Sequence, residues 1–193
     1  MNASPWGVYD MDPRHAILLA VGEEKSGELR GRTLLQKKLY FASILADENF
    51  GFRPHYYGPY SRQVADAVDT LVNNGFLRER IDVFAGEPNL FGEWRRHSYE
   101  LTDDGRRLLE AVTVEEDAAR WKTALEKINS HQFTEDFNLL SIAAKVATIL
   151  HEAGLASIEE IKLKAEEYGW ELSPQEIDRV GEFLEYLGLV ERQ

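Results

Sequence analysis

The chain of 193 residues carries no cysteine and a net charge of −12, with 44% apolar and 29% charged residues. That balance belongs to a folded globular chain, and the missing thiols exclude a disulfide framework, a thiolate metal site and a cysteine nucleophile. Apolar runs such as Ala16–Val21 fall far short of the roughly 20 residues that span a bilayer, and "MNASPWGVYDMDPRH" lacks the basic patch and apolar core of a secretory signal. A cytoplasmic location with no membrane partner is expected, in keeping with the absence of cysteine.

The opening helix has Asp12 as N-cap, Pro13 at its first position and Gly22 as its stop. "EEKSGELRG" reads as a polar connector. "RTLLQKKLYFASILADENFG" is a second helix capped by Thr33, with Leu35, Leu39, Ala42 and Leu45 on one stripe and Gly51 as its break. Ser61 caps a third helix, whose inward stripe is Val64, Val68, Leu71 and Val72 and whose stop is Asn73, Asn74 and Gly75. "FLRERIDVF" is extended, "GEPNLFGEW" is a loop and "RRHSYEL" is a returning strand, which predicts a hairpin pairing Arg80–Phe84 with Arg96–Leu101. "TDDGRRLLEAV" starts a fourth helix at Thr102 or Asp103.

Three helices followed by a hairpin predict a mainly α chain whose residues 1–112 are a winged helix-turn-helix with a small β-hairpin wing. Residues 113–136 are expected to be a linker, with a helix over about Val114–Asn129 whose apolar stripe is too thin for a core element. Residues 137–193 read as an acidic, wingless three-helix unit, with Ser157 and Ser173 as caps, Glu176 at the capping-box position and Gly188 as the last stop.

"GRTLLQKKLYFASIL…YYGPYSRQVADAVDTLVNNGFL" resembles the YwgA-like and Panacea-type bacterial proteins, which share a lysine-centred "LQKLxYF" helix, a "YGPYS" stretch and an amphipathic helix. The matching positions are Leu35, Gln36, Lys37, Leu39, Tyr40, Phe41 and Tyr57–Ser61, within about Leu29–Leu77. Lys38 is an extra lysine against that pattern. The resemblance implies a regulatory binding role, in some members an antitoxin or prophage accessory one, rather than an enzyme.

Two sets of residues stand out as candidate binding groups. Arg53, His55, Tyr56, Tyr57, Tyr60 and Arg62, with Lys37 or Lys38 nearby, form either a structural corner between helices two and three or a recognition patch, since Arg and Tyr are enriched among interface anchors. Alternation in an extended run turns Tyr57 inward onto Leu39 and leaves Tyr56 and Tyr60 outward. If the ligand is DNA, Arg62, Gln63 and Asn73 of helix three are the base readers, while Asp66 and Asp69 oppose it. Arg78, Arg80, Arg95, Arg96 and His97 would then be the wing's phosphate contacts, against the alternative of a solvated charged hairpin.

No catalytic set emerges. The five histidines have no metal spacing, no phosphate-cradling or nucleophile-elbow motif occurs, and the paired acids sit on helix surfaces or caps. The expectation is a non-enzymatic regulatory module with no cofactor or metal. It is read first as a DNA-binding transcription regulator, and alternatively as a protein-binding subunit, adaptor or antitoxin-like component. Homodimerisation is the habit of DNA-binding winged helices, but no heptad seam here demands it.

Overall fold

A computed structural model describes residues 11–89, 92–114, 116–154 and 156–191. The elements run α1 (Pro13–Gly22), β1 (Leu29–Arg30), α2 (Arg32–Leu45), α3 (Arg62–Asn73), β2 (Leu77–Asn89), β3 (Gly92–Leu101), α4 (Asp103–Val112), α5 (Glu116–Asn129), α6 (Phe137–Ala153), α7 (Ile158–Glu167) and α8 (Pro174–Leu187), with a short 3₁₀ turn at Gln132–Glu135 before α6. Among the described residues the fold is mainly helical, with one small antiparallel sheet of order β1-β3-β2.

The caps explain most helix starts. The Asp12 side chain accepts from Arg14 N, Ser61 from Val64 N and Thr102 from Gly105 N. Ser157 and Ser173 each close a full capping box, with Glu160 and Glu176 reaching back to the cap backbone. The exception is α2, which begins at Arg32 behind Gly31 rather than at Thr33, with no side-chain cap.

Two sheet features differ from the sequence expectation. The polar connector holds β1, whose Leu29 and Arg30 pair with Tyr99 and Ser98 of β3. Two residues are too short a run to show a period of two. The hairpin is also longer than expected: its regular pairs run from Leu77 with Leu101 to Phe84 with Trp94, and Asn89 pairs with Gly92 after a register shift. Pro88 and Gly86 are tolerated because β2 is an edge strand. Leu90 and Phe91 of the expected loop lie outside the described residues.

The larger correction is α5. It does not bridge two units as a solvated rod: Trp121, Leu125 and Ile128 are fully buried, and Ala118 and Ala124 nearly so. Trp121 stacks on Phe50 with centroids 5.1 Å apart. One hydrophobic cluster runs from α1 through α2, α5 and α6 to α8. Its axis is α2, in which every residue from Leu35 to Ser43 is buried. A helix surrounded in this way must also bury its polar positions, and that decides the fate of Gln36, Lys37 and Lys38.

Candidate partner-binding site

The aromatic stretch forms a short, tightly held loop between α2 and α3. Arg53 and Tyr60 exchange both backbone hydrogen bonds, Arg53 N to Tyr60 O at 3.0 Å and Tyr60 N to Arg53 O at 2.9 Å. Within that closure Gly58 N donates to His55 O at 2.8 Å, and Gly58 adopts φ +91°. Glycine is required there because an L side chain rarely adopts this backbone, and because the space is taken. A Cβ would lie 3.2 Å from Lys145 Cγ, 3.3 Å from Lys37 Cε and 3.4 Å from Ser141 O.

Side chains from distant elements pin the loop backbone from below. Lys37 Nζ donates to Pro59 O at 2.7 Å, Ser141 Oγ to Tyr57 O at 2.8 Å and Trp170 Nε1 to His55 O at 2.8 Å. Gln36 pairs with the backbone of Ser61 in both directions, its Nε2 donating to Ser61 O at 3.0 Å and its Oε1 accepting from Ser61 N at 2.9 Å. Gln36 lies inside the "LQK" stretch, so its value was partly readable from the motif. Ser141 and Trp170 stand in the C-terminal half and carried no such signal.

The loop carries its rings outward. Tyr56, Tyr57 and Tyr60 are 55%, 45% and 36% exposed. Tyr56 and Tyr57 meet edge to face at 4.8 Å, and the His55 ring lies 5.3 Å from that of Tyr60. Tyr57 therefore does not pack inward on Leu39. The alternation argument assumed an extended run, and the chain turns at His55–Gly58 instead.

Lys37 and Lys38 are not surface cations. Lys37 is 2% exposed and Lys38 3%. Lys38 reaches the other side of α2 and forms an ion pair with Glu24. Lys37 has no carboxylate partner among the described residues. Burial above all, and then the nearby Lys145 charge, lower its pKa to about 7. Lys37, His55, Tyr57 and Tyr60 line one pocket of about 170 Å³, walled by Leu35, Ala65 and Val68, with Arg32 and Asp69 also on its lining.

The other candidates lie elsewhere. Arg62, Gln63 and Asn73 are exposed along α3, but Arg62 pairs with Asp66 at 3.2 Å, and Asp69 of the same face pairs with Arg32 at 3.5 Å. Arg80 is held by Glu28 at 2.8 Å and Asp82 at 3.3 Å. Arg95 and Arg96 are exposed on β3 and line a separate groove of about 790 Å³, together with Lys38 and His97. The hairpin itself is locked to α2 through Glu79, which accepts from Arg32 at 3.1 Å, His97 Nδ1 at 2.8 Å and Tyr99 OH at 2.8 Å. Burial raises the Glu79 pKa, but these three donors outweigh it and hold the carboxyl below its usual range.

Among the described residues no cluster of His, Asp or Glu could hold a metal ion, and no single helix is long and apolar enough to cross a membrane. The chain is 31% identical over 151 residues to the uncharacterised protein YwgA of Bacillus subtilis (strain 168), covering 76% of this chain and 78% of that one. It belongs to the YwgA family. The similarity reaches far beyond the Leu29–Leu77 stretch, so the family likeness includes elements outside the loop motif. No protein-family model matches the chain.

Proposed function

We propose that this YwgA-family chain is a non-enzymatic protein-binding module whose anchor is the tyrosine loop at 53–60. The observation that carries the reading is the coexistence of three exposed tyrosines with a backbone held from four directions. Tyrosine offers a large apolar face and a hydroxyl at small entropic cost. A loop already fixed before binding avoids much of the ordering penalty that weakens flexible interfaces. The finer resemblance to Panacea-type antitoxin modules fits a role of this kind.

The order α1-β1-α2-α3-β2-β3, with β3 between its partners, supports a winged-helix reading of the N-terminal half. A winged helix serves DNA and protein alike. The pairing of Arg62 and Arg32 with Asp66 and Asp69 weighs against α3 as a reader of bases, as does the net charge of −12. DNA binding remains a second reading on one observation, the exposure of Arg95 and Arg96 on the hairpin.

The test is affinity capture from native extract, with and without nuclease, using the wild type and the single variants Tyr56→Ala, Tyr57→Ala and Tyr60→Ala. A nuclease-resistant protein partner lost in at least one variant, with the thermal midpoint unchanged, supports the reading. Capture that vanishes with nuclease, or that only Arg95→Ala/Arg96→Ala removes, replaces it with the DNA reading.

A further inference from the structure

Beside the exposed rings lies a feature that a protein-docking patch does not need. Lys37 is an almost fully buried cation with one hydrogen-bond acceptor, the Pro59 carbonyl, and no counter-charge among the described residues. The charged and titratable groups around it are Lys145 on α6, with Glu176 acting on that lysine, His55 on the loop, and Arg32 and Asp69 at the pocket. Asp69 is taken by Arg32, and Lys145 adds a second positive charge near the first. A buried charge left without a partner is costly, and the cost falls if an anion enters. The adjoining pocket is lined by Leu35, Ala65 and Val68 together with Tyr57 and Tyr60. Its volume of about 170 Å³ suits a body the size of one aromatic ring, since a cavity of about 150 Å³ takes benzene.

We propose that the pocket between α2, α3 and the 53–60 loop binds a small free aromatic monocarboxylate, its carboxylate on Lys37 and its ring between Val68 and the loop tyrosines. The inference does not rest on the tyrosine loop having a protein partner. The acid is taken to be a small molecule because a volume of about 170 Å³ is close to that of a single ring. Burial, and after it the Lys145 charge, lower the amine's pKa to about 7, and an anion beside it favours the protonated form. Binding is therefore tightest below that pH and weakens above it, with a proton taken up on binding.

Sodium benzoate is the probe, followed by titration calorimetry and by saturation-transfer NMR on the ring protons. At a pH below the lowered Lys37 pKa of about 7, the wild type should bind benzoate at least about tenfold more tightly than the uncharged isostere benzamide, the worth of one hydrogen bond to a charged group. Lys37→Met should remove that preference, and Val68→Phe should remove benzoate binding while leaving the lysine in place. Circular dichroism checks that each variant is folded, and the Val68 variant answers the question if the Lys37 variant is not. Equal binding of benzoate and benzamide, benzoate binding unchanged in Val68→Phe, or no binding of benzoate to the wild type would each overturn the proposal.

Discussion

The ring of Phe41 on α2 meets that of Phe183 on α8 edge to face, with centroids 5.4 Å apart and planes at 85°. Both side chains are fully buried. The contact joins the first helices of the chain to the last, and it has company: Thr148 of α6 donates to Tyr40 OH at 3.1 Å, and Trp121 of α5 covers Phe50. A chain ending at Val112 would leave these faces of α2 and its flanking loop in water. We predict that such a fragment shows no cooperative thermal transition by circular dichroism, whereas full-length Phe183→Ala unfolds in one transition about 3–5 kcal/mol less stable than the wild type. A cooperative melt of the fragment would show that the N-terminal half closes its own core with Leu39, Val68, Leu71, Leu101 and Leu108.

Gly58 gives a second prediction, on the loop. Alanine there would meet Lys145, Lys37 and Ser141 at van der Waals limits and must adopt φ +91°. The left-handed backbone alone costs a β-carbon-bearing residue about 1–2 kcal/mol, and the crowding adds to it. Gly58→Ala should therefore lower stability by about 2–3 kcal/mol in urea denaturation and speed amide exchange at Gly58 and Tyr60. Gly75→Ala tests the attribution. It also has positive φ but nothing within 4 Å, so it should cost only the backbone share. Equal losses at the two positions would show that the packing beneath Gly58 contributes nothing.

The helices were largely legible because their signals are local. Asp12, Ser61, Thr102, Ser157 and Ser173 announce their caps within a few residues, and the stripe at Val64, Val68 and Leu71 gives α3 its buried face. What was not legible depends on partners distant in sequence. The apolar residues of α5 look sparse on a wheel, yet Trp121, Leu125 and Ile128 suffice because α1 and α2 are waiting for them. The motif places Lys37 or Lys38 near the candidate patch as binding cations, and only the burial of α2 on all sides turns the polar run into Gln36 bracing Ser61, Lys37 under Pro59 and Lys38 against Glu24. The direction of Tyr57 depended on a turn that Gly58 and Pro59 permit but do not by themselves specify.

The Glu79 cluster yields a third prediction, on how the hairpin is fastened. One carboxylate accepts from Arg32, His97 and Tyr99, so Glu79→Gln removes the charge from three donors at once. Hydrogen bonds to charged groups contribute about 1.5–3 kcal/mol, and Glu79 is partly exposed, which reduces the loss. We expect a decrease of about 1–2 kcal/mol in the denaturation midpoint analysis, and faster amide exchange in β3 than in α6. The carboxyl is held below its usual range in the folded chain, so its contribution is present above the unfolded pKa and is lost as pH falls through the folded value. The stability gap between wild type and Glu79→Gln should accordingly close in acid. A gap independent of pH would mean that packing, not charge, fastens the hairpin.

Lys37 supplies the last prediction, with the opposite sign. Its folded pKa is lowered from 10.5 to about 7, so between those values the unfolded chain binds more protons than the folded one. Stability linked to this group therefore rises with pH across that window, at up to about 1.4 kcal/mol per pH unit, and below pH 7 the full penalty of burying the ammonium is present. Lys145, half-buried and also lowered by burial, adds a slope of the same sign, while burial above all raises Tyr40 to about 12 and acts against it only beyond the ordinary tyrosine range. The comparison that isolates Lys37 is the difference between wild type and Lys37→Met, measured by urea denaturation in steps between pH 6 and 10. Methionine keeps the length of the side chain and removes the charge, at the cost of the hydrogen bond to Pro59. Lys37→Met should thus be the more stable protein at the acid end, with its advantage shrinking as the wild-type amine loses its proton. A difference that stays constant across the window would show that the ammonium remains protonated in the folded chain and that a counter-charge reaches it.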